Sequence, residues 1–110
     1  MKTNDLIVVQ TADFDINQHY QKLLQINPAS TGAAVLFIGL VRDLDAARVE
    51  AMELEHYPGM TEACLQQIVD KAHQRWALEG IHLVHRVGKL LRHEQIVLVG
   101  VVSRHRSDAF

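Results

Sequence analysis

An α+β domain with a mainly antiparallel sheet is the fold class this sequence predicts, and three observations point to it. Apolar runs of strand length recur along the chain, two segments with apolar residues at helical spacing separate them, and no repeat, low-complexity run or linker divides the 110 residues. Leu6 to Thr11 reads as the first strand. Asp13 or Asp15 can cap a helix whose apolar positions Ile16, Tyr20, Leu23 and Leu24 recur at helical spacing, and Asn27-Pro28 ends it. Gly32 to Val41 is a second strand, apolar on both faces. That pattern suits a central position, covered by helices on one side and by another sheet or subunit on the other. Val49 to Tyr57 alternates Met52, Leu54 and His56 with Glu53, Glu55 and Tyr57, so one of its faces is largely polar. Pro58-Gly59 forms a turn, and Thr61 can cap a helix from about Glu62 to Leu78, with Gly80 just past its end. Cys64, Leu65, Ile68, Val69, Ala72 and Trp76 make its buried stripe. Ile81 to Val87 and Gln95 to Arg104 are two further strands joined by Gly88 to Glu94, and Ser107-Asp108 begins a third helix.

Strand, helix, strand, strand, helix, strand, strand is the order of a ferredoxin-like or hammerhead-type sandwich with an additional strand. A single domain of this length buries roughly 65% of the surface its unfolded chain exposes, so an ordinary apolar core suffices without a metal or disulfide staple. Hydrophobic residues make up 48% of the chain, which supplies that core. With 11 basic and 13 acidic side chains the net charge is −2, so there is no global attraction to nucleic acid or an anionic membrane, and any anion site is local. Cys64 is the single cysteine, which fits a reducing cytoplasm. Met1 to Asp5 leads into only four apolar residues, Leu6 to Val9, which is neither a signal peptide nor the ~18 residues a bilayer span requires. A cytoplasmic location is the expectation.

The residues with chemical potential gather at strand ends. Ser103-Arg104-His105-Arg106-Ser107-Asp108 follows directly on the apolar run Ile96 to Val102. If the strand continues, Arg104 and Arg106 share one side about 6–7 Å apart, with His105 on the other; a break at Ser103 changes that pairing. A guanidinium donates two parallel hydrogen bonds to a phosphate, and a helix start at Ser107 adds backbone donors. Strand ends are also charged simply because they meet water. Arg42, after Phe37-Ile38-Gly39-Leu40-Val41, is a second candidate with the same two readings, and Gly39 inside an apolar strand marks a bulge or a close approach. The seven histidines include no HExxH, and the lone cysteine excludes a paired CxxC; His82 and His85 fall on opposite faces of a strand, so no metal site is expected. Cys64 reads as inert core, and Glu53 and Glu55 as an exposed sheet face rather than an acid–base pair.

Three segments together resemble the large, catalytic subunit of molybdopterin synthase. They are Gly32 to Asp43, then Leu54-Glu55-His56-Tyr57-Pro58-Gly59-Met60-Thr61-Glu62, then His85-Arg86-Val87-Gly88-Lys89-Leu90 with Val99 to Phe110. The resemblance runs over most of the chain from Leu6 onward. It implies a sulfurtransferase that acts as a homodimer within a heterotetramer, with a small ubiquitin-like sulfur-carrier subunit at each end. The carrier's Gly-Gly tail, as a thiocarboxylate, sulfurates cyclic pyranopterin monophosphate twice to form the dithiolene of molybdopterin, the ligand of the molybdenum cofactor. No cofactor of the subunit itself is implied. The matching positions are Arg42 and His105 as catalytic residues and Arg106, Arg42 and His105 around the substrate phosphate, with Phe37 and Gly39 lining the path of the carrier tail.

The sequence departs from the family pattern twice. Members continue past the equivalents of Ala109-Phe110 into a helix and a Lys-x-x-x-Pro-x-Trp-Lys-like segment whose lysines are central to the reaction, so residues 1–110 are expected to form one domain without that helix and tail. Asp43 to Arg48 stands where the family has a longer Gly- and Asn-containing loop. Two other readings remain: a non-catalytic dimeric protein on the same scaffold that docks a sulfur carrier or pterin, and a ferredoxin-like interaction domain.

Overall fold

The computed structural model describes residues 4–42, 51–54 (as backbone) and 57–110. The expectations placed on Asp43 to Arg48, on Glu55 and His56, and on the side chain of Glu53 lie outside the described residues. The elements run β1 (Leu6–Gln10), α1 (Ile16–Leu24), β2 (Ala33–Leu40), β3 (Ala51–Leu54), α2 (Met60–Arg75), β4 (Leu78–Arg86), β5 (Gly88–Leu91), β6 (Gln95–Ser103) and α3 (Arg106–Ala109). Four strands form one sheet in the order β1-β4-β6-β2, with β1 parallel to β4 and both β4 and β2 antiparallel to β6. The remaining two, β3 and β5, pair with each other as an antiparallel ribbon. This is the mainly antiparallel α+β architecture the sequence predicts.

Local chemistry explains the helix limits. Asp15 caps α1 by accepting from the Gln18 N–H at 3.2 Å, while Asp13 accepts from the Phe14 N–H and from Gln95 instead. Gly59 precedes α2 with φ of 83°, a conformation open to glycine, and its N–H donates to the Glu62 carboxylate at 3.1 Å. Thr61 is therefore inside the first turn rather than its cap, and its hydroxyl accepts from the Tyr57 N–H. At the other end α2 stops where Trp76 turns extended, with its N–H still bonded to the Ala72 carbonyl. Gly80 does not close the helix. It lies in β4, where a Cβ would stand 2.4 Å from Ile26 Cδ1, so the strand is bare there to admit that side chain.

The two long helices cover opposite faces of the sheet. On the α1 face Phe14, Val84 and Leu98 pack with Leu36 and Ile38, and Leu23 is fully buried over Gly100. On the other face Val69 of α2 packs on Ile81 and Leu83 with Ile7, Leu65, Ala72, Val99 and Val101. Asp5 fixes α2 to this sheet, bonding His73 Nε2 at 2.8 Å and the Ile81 N–H at 3.0 Å.

Three expectations are corrected here. Among the described residues β2 is an edge strand, not a central one: its Leu36 and Ile38 meet α1, but Phe37 remains 60% exposed on the opposite face. An uncovered apolar face and a buried one look the same in sequence. The α2 stripe is narrower than its spacing predicts, since Val69 alone is fully buried while Cys64, Ile68 and Trp76 are exposed. Finally, β5 occupies part of the segment read as a connection. No described helix is long and apolar enough to cross a membrane.

Candidate functional site

Strand β6 delivers its charged terminus as a bend. The ladder ends at Ser103, which is fully buried and donates its hydroxyl to the His105 carbonyl at 2.5 Å. His105 stays extended, and α3 begins at Arg106, with Asp108 N–H bonded back to the His105 carbonyl. The alternation that would pair Arg104 with Arg106 is thus broken. Arg104, His105 and Arg106 are all exposed around the bend.

Arg42 sits elsewhere. Val41 is buried and exchanges backbone hydrogen bonds with the β5–β6 turn, its N–H to the Glu94 carbonyl and its carbonyl from the His93 N–H, both 3.0 Å. Arg42 follows it into solvent. The β2–β6 register pairs Ala33 with Ser103 and Leu40 with Gln95, so the ladder between the two sites is about 23 Å long at ~3.3 Å per residue. Arg42 and the His105-Arg106 pair therefore occupy opposite ends of the sheet, and one chain does not bring them together.

Phe37 and Gly39 lie between those ends on the same face, opposite Val99 and Val97. The space a Gly39 Cβ would take is filled, by Val97 Cγ1 at 2.8 Å and the Phe37 ring at 3.6 Å. Gly39 therefore serves packing, next to the register shift between Gly39 and Leu40, and leaves Phe37 as the projecting apolar group. On this face α2 and α3 leave an open apolar groove of about 140 Å³, with Leu83, Val99 and Val101 as floor and Ile68, Trp76 and Phe110 on its walls.

Three charged or polar arrangements were not legible in the sequence. Arg86 is buried and donates to the Thr11 carbonyl at 3.0 and 3.2 Å and to the Gln95 carbonyl at 2.9 Å, with Glu94 and Asp13 beside it. It is a clasp at the Arg42 end of the sheet. Hydrogen bonds from Gln95 and the Phe14 N–H, helped by Arg86, hold the Asp13 carboxyl below its ordinary range. His19 of α1 and His82 of β4 meet Nδ1 to Nδ1 at 3.0 Å, one donating to the other. Burial first, then the neighbouring imidazole and Lys22, push His82 down to about 4; burial and Lys22 lower His19 as well. His85 points to the opposite face, its buried Nδ1 without a hydrogen-bond partner among the described residues. Among the described residues no three potential ligands converge on a metal position. The third arrangement surrounds Glu79, at the end of the sheet that carries His105.

Known proteins share this architecture and sequence. The family model described as MoaE protein matches residues 9–110. The molybdopterin synthase catalytic subunit of Vibrio cholerae is 48% identical over 105 residues, covering 94% of this chain and 69% of that protein. Its counterpart in Ralstonia nicotianae is 53% identical over 94% of this chain, which spans 59% of the relative's length. Among solved structures, the molybdopterin biosynthesis MoaE protein from Burkholderia ambifaria superimposes with a TM-score of 0.87 at 50% identity, covering 96% of this chain and 69% of that one. A match through both sheets, α1 and α2, at about half identity, is common descent and not a shared architecture alone: the chain belongs to the MoaE protein family.

Proposed function

We propose that this chain works as the catalytic subunit of a molybdopterin synthase, in a dimer whose active sites are each built from two copies. The observation that carries the composite site is the separation of Arg42 from His105 and Arg106 by the whole β2–β6 ladder. A two-fold assembly that sets the β2 end of one copy against the β6 end of the other does so twice. Each site then holds Arg42 from one copy with His105 and Arg106 from its partner.

The chemistry follows from these groups. Arg106 and Arg42 bind the cyclic phosphate of the pyranopterin substrate through charge-assisted hydrogen bonds and offset the charge of an incoming thiocarboxylate. His105, exposed at the bend, gives or takes the proton as the thiocarboxylate sulfur bonds to a pterin side-chain carbon and water cleaves the C–S bond to the carrier, which leaves as its carboxylate. The thiocarboxylated Gly-Gly tail of a small ubiquitin-like subunit approaches along Phe37, the projecting apolar side chain of the β2 face, and Gly39 supports that path by seating Val97 and the Phe37 ring. One carrier at each end of the dimer makes a heterotetramer, working in the cytoplasm.

Reconstitution of the full-length protein, with the lysine-bearing segment that family members carry after the equivalent of Phe110 in place, with the thiocarboxylated carrier and cyclic pyranopterin monophosphate, assayed for the dithiolene, tests this reading. Dithiolene formation is the expected result. Tight carrier binding without turnover makes the chain a docking protein instead. In the same assay Arg106→Ala weakens substrate binding by about 1.5–3 kcal/mol. An unchanged affinity removes Arg106 from the anion site.

A further inference from the structure

At the His105 end of the sheet β4 carries one residue more than β6. Leu78 pairs with Ser103 and Gly80 with Val102, so Glu79 is the extra residue of a bulge. Bulges re-aim side chains, and this one turns a carboxylate into the loop between α1 and β2. Glu79 accepts from the Thr31 hydroxyl at 2.6 Å, from Asn27 Nδ2 at 3.2 Å and from the Ser30 hydroxyl. Three donors from five consecutive residues are held by one side chain. Those hydroxyls, with the Arg104 charge and Asn27, keep the carboxyl below its ordinary range.

The loop passes this constraint directly to the bend. Gly32, next after Thr31, donates its N–H to the Ser103 carbonyl at 2.9 Å. Its α-carbon lies so close under the following peptide that an added Cβ would stand 2.2 Å from the Arg104 carbonyl oxygen. Ser103 in turn holds the His105 carbonyl. A continuous series of short contacts therefore runs from the Glu79 carboxylate, through Asn27 to Gly32, to the backbone that carries His105 and Arg106.

We infer that Glu79 is a positioning residue for the anion site: it clamps the Asn27–Gly32 loop beneath the Arg104 peptide and so sets where His105 and Arg106 project. The inference rests on the assignment of His105 and Arg106 to substrate under the proposed function. The effect of Glu79 is on geometry, and a shift of about 1 Å at a reacting group is worth up to 10²-fold in rate.

The test uses the full chain with its carrier subunit and compares Glu79→Ala, Glu79→Gln and Gly32→Ala. Glu79→Ala and Gly32→Ala lower kcat/KM for the pterin substrate by about ten-fold, leave carrier affinity unmoved, and shift the His105 ring resonances in NMR spectra. Glu79→Gln, which keeps an acceptor for the loop hydroxyls, restores kcat/KM to within about three-fold of the parent protein. A merely structural role predicts neither the rescue nor the spectral shift. Should Glu79→Ala not fold, Ser30→Ala with Thr31→Val removes the donors from the other side and is expected to lower kcat/KM in the same way. Unchanged kcat/KM in the folded variants, while Arg106→Ala lowers it, overturns the positioning role and leaves the site reading intact. Unchanged kcat/KM in Arg106→Ala overturns the site reading and the inference with it.

Discussion

The two faces of the four-stranded sheet are finished differently. Under α1 the surface is sealed: Leu23, Val84, Leu98 and Val102 have no exposure, and even the imidazole of His82 is enclosed with His19 as its partner. Under α2 the buried cluster among the described residues is Val69, Ile81 and Leu83, and the groove beside them leaves Ile68 and Trp76 on view, with Phe110 91% exposed. One face is a core complete within the chain. The other is a partly covered apolar surface of the kind that marks contact with something else. Most of the stability is therefore expected to reside in α1 and its strands, and substitution of the exposed groove walls, such as Ile68, to be tolerated by the isolated chain.

Removing a side chain from the sealed face gives the largest effect. Leu98→Ala is expected to cost about 3 kcal/mol or more, seen as a lower urea midpoint at constant slope. A cost under about 1 kcal/mol erases the contrast between the faces. Acid gives the next effect, through the same face. His82 titrates at about 4 in the folded protein, below an unfolded histidine, so between these values the unfolded chain binds the extra proton. Stability from this source is complete above about pH 6.5, falls as pH drops and is gone near 4, a change on the order of 2–3 kcal/mol. Thermal melts across that window should show the slope, and the double variant His19→Leu, His82→Leu should flatten it. The smallest effect belongs to the groove, where Ile68→Ser should change the stability of the isolated chain by no more than about 0.5 kcal/mol. A loss comparable to that of Leu98→Ala would mean the groove face is as closed as the other.

The helices and long strands were legible because their periodicity is set by local burial, as at Leu23 in α1 and at Val84 and Leu98 in the central strands. The place of β2 was not, because edge or centre is decided by pairing between distant segments. Strand β5 escaped for a related reason: its four residues are recognised by backbone pairing with β3, not by a pattern of their own. The candidate site was legible as residue types and not as a place. Arg42 follows the carboxyl end of β2, and His105 the carboxyl end of β6. Parallel strands would bring those ends together; antiparallel pairing sends them to opposite edges. Glu79 was unreadable because its role depends on a bulge, and a bulge is a relation between two strands.

The antiparallel β2–β6 ladder has a genetic consequence. If each site takes Arg42 from one copy and Arg106 from the other, then Arg42→Ala and Arg106→Ala are each impaired at both sites as pure proteins, yet a mixed dimer concentrates both lesions in one site and leaves its twin intact. Random mixing of equal amounts restores about a quarter of the sites. Two defective alleles would then complement one another in a single cell, whereas a double mutant carrying both changes in one chain would rescue neither.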